Sequence, residues 1–144
     1  MKAPTILLVE DSPDDELLTM RALRKNGMGE AVAVARDGAE AIEYLRNARS
    51  LPGLVLLDAK LPGMSGMEVL RIIRADERMK SLFVAVLTSH DEGGLMTGDQ
   101  YLRADLFIRK GVNYDQFSDE IRALKPLLTE VIARRNSPCA GPIS

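Results

Sequence analysis

Leu54-Val55-Leu56-Leu57-Asp58 is a run of four aliphatic residues that ends on a carboxylate, and Lys60-Leu61-Pro62-Gly63-Met64-Ser65-Gly66 follows it closely. The run has no polar alternation, which predicts a strand covered on both faces, and the Pro-Gly pair beyond it predicts a loop. A second run, Ile6-Leu7-Leu8-Val9, ends in the same way on Glu10-Asp11. Placed side by side as parallel strands, the two runs bring three carboxylates to one edge of a sheet. Their repulsion is tolerable there only with a bound cation or a shared proton.

Outward from these two runs, the chain alternates short apolar stretches with helix-like ones. Strands are predicted at about 5–10, 31–35, 54–57, 83–87 and 104–108. The alternation predicts a doubly wound α/β domain with a parallel five-stranded sheet. Ser12 caps a first helix, Pro13 suits its first turn, and Asp14, Asp15 and Glu16 complement its positive end. Asn26-Gly27 marks its stop. Asp37-Gly38-Ala39-Glu40 has capping-box spacing, with Ala41, Ile42, Leu45 and Ala48 as an inward stripe. A third helix follows Gly66 and turns Val69, Leu70, Ile72 and Ile73 inward. Gly93, Gly94 and Gly98 weaken a fourth and mark it as the most mobile element. The last helix carries Phe117, Ile121, Leu124, Leu128 and Ile132, and Pro126 is expected to kink or break it.

The chain has 144 residues, 46% of them hydrophobic and 28% charged, with a net charge of −2. One domain is expected over 1–135, followed by a disordered tail over 136–144. The charge offers no long-range attraction for nucleic acid. No stretch has membrane-spanning length, and Met1 to Asp11 turns acidic too soon for a signal peptide. Cys139 is the single cysteine, which suits a reducing cytoplasm.

Ligands of doubly wound sheets bind beyond the carboxyl ends of the strands. The residues there are Glu10 and Asp11, Asp58, Thr88 and Ser89, and Lys110. Three acids, a hydroxyl and an amine at one edge suit Mg²⁺ and a phosphoryl group, with one carboxylate as nucleophile.

At these positions the chain resembles the receiver domains of two-component response regulators. The resemblance covers residues 4 to about 125. It rests on Leu7-Leu8-Val9-Glu10-Asp11, on Leu57-Asp58 with Leu61-Pro62-Gly63-Met64-Ser65-Gly66, on Leu87-Thr88-Ser89 and on Phe107-Ile108-Arg109-Lys110. It implies the flavodoxin-like receiver fold with strand order 2-1-3-4-5. It also implies that Asp58 accepts a phosphoryl group from a sensor histidine kinase, and that Glu10, Asp11, Asp58 and the backbone carbonyl of Lys60 hold Mg²⁺. Thr88 and Lys110 are implied to bind the phosphoryl oxygens, and Thr88 and Phe107 to form a switch. That switch would remodel the face made by the fourth helix, fifth strand and fifth helix. The resemblance is to a stand-alone type, and the long link Asn47 to Gly53 is similar to that of regulators encoded with bacteriophytochromes.

Two departures from the family pattern stand out. Gly111 follows Lys110 where the family commonly has proline, which makes the loop more flexible. Lys60 and His90 occupy the positions that flank the phosphoacceptor and Thr88 and that influence the lifetime of the phosphoryl group.

Blander readings weigh against some of these residues. Glu10-Asp11 alone would be a solvated turn and helix start, but Asp58, Thr88 and Lys110 reverse that judgement. Phe107 also serves as a core aromatic, and His90 as a solvated loop residue. Leu127, Leu128, Val131 and Ile132 exceed what one domain needs to cover, which suggests a homodimer through the last helix or through the switch face. An enzyme of the aspartyl-phosphatase type would need an acid two residues after its nucleophile, and Lys60 stands there instead. The alternative is a phosphorylation-independent interaction module of the same fold.

Overall fold

The structure, a computed structural model, describes residues 5–88, 104–110 and 113–136, with 131–136 described by their backbone only. Five parallel strands, β1 (Ile6–Val9), β2 (Val32–Ala35), β3 (Leu54–Asp58), β4 (Phe83–Thr88) and β5 (Leu106–Arg109), form one sheet in the order β2-β1-β3-β4-β5. The expected topology is therefore the observed one. The described helices are α1 (Pro13–Lys25), α2 (Gly38–Asn47), α3 (Gly66–Ala75), α4 (Tyr114–Arg122) and α5 (Lys125–Asn136). The expected glycine-rich helix with Gly93, Gly94 and Gly98, together with Ser89, His90, Gly111, Cys139 and the tail, lies outside the described residues.

The continuous apolar runs are explained by residue parity. Successive side chains leave a strand on opposite faces, so Leu7, Val9, Val55, Leu57, Val84 and Val86 pack on the side of α2 and α3. Ile6, Leu8, Leu54, Leu56, Ala85 and Leu87 pack on the other side, with Ala22 and Leu23 of α1 and Phe117, Ile121 and Leu124. Each buried aliphatic side chain of this size contributes about 1.5–3 kcal/mol.

Helix starts follow the caps. Ser12 Oγ accepts from Asp15 N–H at 3.3 Å, Asp37 Oδ1 from Glu40 N–H at 2.8 Å, Ser65 Oγ from Glu68 N–H at 3.2 Å, and Asn113 Oδ1 from Gln116 N–H at 2.7 Å. In α2 the Glu40 carboxylate reaches back to the N–H of Arg36 at 3.2 Å, one residue beyond the partner that a capping box would give it. The stripe expected on α2 is shorter than its sequence suggests. Ala48 is the extended C-cap, and the Arg78 guanidinium takes the carbonyls of Leu45, Arg46 and Ala48. Asn26 caps α1, and Gly27 follows at φ 77°, a left-handed conformation that glycine adopts without penalty.

The helical stretch after β5 is divided between Arg122 and Lys125, ahead of Pro126. Pro126 then sits in the first turn of α5, where its missing N–H costs nothing. Leu124 and Leu128 still face the core, and Leu127 is exposed. Tyr114 joins α4 to α1, since the Arg21 guanidinium stands 4.8 Å and the Lys25 ammonium 5.4 Å from its ring centre.

Candidate functional site

The carboxyl ends of β3, β4 and β5 are stitched together by backbone hydrogen bonds. Ala59 N–H donates to Leu87 O at 2.9 Å, and Lys110 N–H donates to Thr88 O at 2.7 Å. The side chains that follow these strands are thereby held in one hollow. The loop after Asp58 closes on itself where Gly66 N–H donates to Ala59 O at 3.0 Å. Gly66 is required there, because a Cβ would overlap the carbonyl oxygen of Asp58 and stand 2.8 Å from Ala59 Cα.

Within the hollow, carboxylate oxygens of Glu10, Asp11 and Asp58 lie within 4.8 Å of one another. Glu10 is 0% and Asp58 2% exposed, while Asp11 is open to solvent. The Lys110 ammonium meets three acids, at 3.0 Å from Glu10 Oε1, 3.0 Å from Asp58 Oδ2 and 2.9 Å from Asp15 Oδ2. Asp58 Oδ1 accepts from the N–H of Lys60 at 3.1 Å, and Glu10 Oε2 accepts from the N–H of Ser12 at 3.4 Å. With Asp11 beside the three acids that Lys110 meets, acids outnumber the one ammonium and leave an excess of negative charge. Hard oxygen donors in that excess are suited to a small divalent cation.

Burial first, and then the hydrogen bond and charge of Asp58, push the Glu10 carboxyl up to about 8, although Lys110 pulls it down. Burial works to lower Lys110, but the Asp15 hydrogen bond and the charges of Asp58 and Glu10 outweigh it and hold the ammonium above its ordinary value. The pair therefore reads as a protonated lysine beside a carboxyl that readily shares a proton.

Of the residues singled out from sequence, Glu10, Asp11, Asp58 and Lys110 converge directly. Thr88 is buried at the adjoining strand end. Phe107 pairs in register with Val86, two residues before Thr88, so Thr88 and Phe107 lie diagonally on the same face of neighbouring strands. Phe107 is partly buried there against the core on the α2 and α3 side. Lys60 meets Asp58 through its N–H. Asp15 is the residue that sequence reasoning missed in this role. In the sequence it carries only the signal of a first-turn acid complementing the helix dipole, because its partner lies 95 positions away.

A parallel sheet in this order, with buried acids and a lysine at its carboxyl edge, defines a doubly wound domain that carries an acidic cluster there. Residues 6–122 match the response regulator receiver domain family, and the chain belongs to it. It is a response regulator receiver domain of two-component signalling. Among solved structures it is similar to the bacteriophytochrome response regulator AtBRR, at 36% identity and TM-score 0.70, covering 87% of this chain and 94% of that one. It is also similar to the phosphorylated cyanobacterial phytochrome response regulator RcpA, at 32% identity and TM-score 0.74, with 89% and 95% covered. The Mn²⁺-bound form of Rcp1, from Synechocystis sp., is 26% identical with TM-score 0.71, over 85% and 92%. The chain spans 57% of the length of one curated relative and 35% of several DNA-binding ones. Among the described residues, no helix is long and apolar enough to cross a membrane.

Proposed function

We propose that this chain is a Mg²⁺-dependent phosphorylation switch in which Asp58 accepts a phosphoryl group from the phosphohistidine of a sensor kinase. The observation that carries this reading is the buried Asp58 carboxylate, 3.0 Å from Lys110 and grouped with Glu10 and Asp11. An Asp58 oxygen attacks phosphorus in line, the P–N bond breaks, and the leaving imidazole nitrogen takes up a proton. Lys110 and the Thr88 hydroxyl hold the phosphoryl oxygens, and the N–H of Lys60 orients Asp58 Oδ1. Glu10, Asp11, Asp58 and the Lys60 carbonyl are the residues that would hold Mg²⁺. The ion would supply charge neutralisation on the transferred group.

Phosphorylation draws Thr88 toward the phosphoryl oxygens and frees space that Phe107 enters, which remodels the surface beside β5. Their diagonal placement on one face supports that coupling. The output is contact with another protein, including a homodimer. Leu127 is 37% exposed beside buried Leu128, which supports the last helix as the dimer contact. The kinase partner is of the phytochrome type, as the likeness to AtBRR and RcpA suggests, and the setting is cytoplasmic. The chain's only reactions are its own phosphorylation and dephosphorylation. Nothing in its charge favours nucleic acid.

Incubation with Mg²⁺ and acetyl phosphate, followed by intact mass and size-exclusion chromatography, tests the reading. A phosphoryl adduct is expected on the native chain and not on Asp58→Asn, with an earlier elution of the phosphorylated sample. An Asp58→Asn sample that carries the same adduct would remove Asp58 from this role.

A further inference from the structure

The Lys110 ammonium donates hydrogen bonds to Glu10 and Asp15 and forms an ion pair with Asp58, and only two of these three acids belong to the group that a divalent cation would claim. Glu10 and Asp58 are in that group, while Asp15 is not. Asp15 reaches Lys110 from the first turn of α1, with its carboxylate 42% exposed. Its backbone is fixed, because its own N–H donates to the capping Ser12 Oγ, and Ser12 N–H in turn donates to Glu10. A cap, a metal-type ligand and a lysine anchor are thus linked within six residues of sequence.

From this geometry we infer that Asp15 is a positioning residue, the anchor that keeps the Lys110 ammonium at the mouth of the pocket while Glu10 and Asp58 are engaged elsewhere. The inference rests on the phosphoryl-transfer reading above. When Asp58 becomes an acyl phosphate, its Oδ2 can no longer take a full share of the ammonium. Ionised Glu10 is likewise drawn toward the cation. Asp15 then remains as the described acid that holds Lys110 within reach of the incoming phosphoryl oxygens. A role confined to the helix dipole would need no contact with Lys110 at all.

Two measurements on the full chain separate these roles. The first is amine acylation of the unphosphorylated protein, read at Lys110 by mass spectrometry with Lys80 as the internal control. Asp15→Ala is expected to raise Lys110 labelling by about two- to fivefold, the scale of a partly exposed ion pair, with Asp15→Asn intermediate and Asp15→Glu close to native. The second is the rate of adduct formation from acetyl phosphate in a double-mutant cycle. Asp15→Ala is expected to slow the native chain by about two- to fivefold and to leave the Lys110→Ala rate unchanged. Unchanged Lys110 labelling, or equal slowing in both backgrounds, overturns the inference. A native chain that forms no adduct defeats the phosphorylation reading instead, and the labelling result still decides whether Asp15 holds Lys110.

Discussion

Lys110 Nζ stands 3.0 Å from Asp58 Oδ2 and 3.0 Å from Glu10 Oε1, so one ammonium meets two acids that are shielded from solvent. Removing one partner from a buried pair leaves the other uncompensated and costs about 3–5 kcal/mol. The lysine itself is 12% exposed and Asp15 keeps the site partly wet, so the cost here is smaller. Lys110→Met is expected to lose about 2 kcal/mol without metal, a fall of about 6 °C in Tm for a chain of this size. Saturating Mg²⁺ is expected to recover most of that loss, since binding to the folded state alone stabilises it. Circular-dichroism melts in EDTA and in Mg²⁺ check both arms, and a variant that melts with the native protein in EDTA contradicts the account.

The raised Glu10 carboxyl makes stability depend on pH with a definite sign. Its folded pKa of about 8 lies above the ordinary 4.5, so between these values the folded chain keeps a proton that the unfolded chain has released. The contribution is present below pH 4.5 and is lost as pH rises toward 8. Denaturation of native protein and Glu10→Gln in EDTA isolates it: the native advantage over the variant should shrink from pH 5 to pH 8. In the proposed site divalent-ion binding is expected to run the opposite way, because an ion held by Glu10 would need that carboxyl ionised. Calorimetry in buffers of different ionisation enthalpy should find up to about one proton released per ion near pH 6. A proton count near zero there would contradict the raised carboxyl.

Much of this geometry was legible in the sequence, for identifiable reasons. Leu54 to Leu57 and Ile6 to Val9 lack polar alternation because both faces of the sheet are covered, which is a local signal of a tertiary fact. Glu10, Asp11 and Asp58 were legible because each directly follows or ends such a run. Asp15 was not, since a first-turn acid looks the same whether it faces water or a lysine 95 positions on. Ala48 misled for a related reason. Its apolar spacing continues α2, but Arg78, 30 positions later, ends the helix by taking its carbonyls.

Asp105 is expected to matter for stability at the far end of the sheet. Its Oδ2 accepts from the N–H of Val84 at 2.8 Å and pairs with Arg74 at 2.8 Å, while Arg74 also donates to Lys80 O and Leu82 O. The loop before β4 and the start of β5 are thereby joined. Asp105→Ala strips an acceptor from a part-buried N–H and a charge from its partner, and should cost about 2 kcal/mol by urea denaturation. Asp105→Asn retains one acceptor and should recover about half of that. Phosphorylation should be unaffected in both, because the joint lies at the opposite end of the strands.

Gly63 lies in the loop after Asp58 and Gly66 opens α3 at its end, and the two should respond differently to alanine. Gly63 has φ 73° and open space where a Cβ would go, so Gly63→Ala meets only the left-handed backbone strain, about 1 kcal/mol. At Gly66 the added Cβ would press on the Asp58 carbonyl and on Ala59, all of it backbone that cannot rotate away. Gly66→Ala should cost about 3 kcal/mol. The displacement falls on Asp58 itself, so the rate of adduct formation from acetyl phosphate should drop with it, whereas Gly63→Ala should keep a near-native rate. Urea denaturation and adduct kinetics on the two variants, measured side by side, distinguish a loop that tolerates strain from a contact that sets where Asp58 points. If both variants lose stability alike and keep their rates, Gly66 does not position the acceptor.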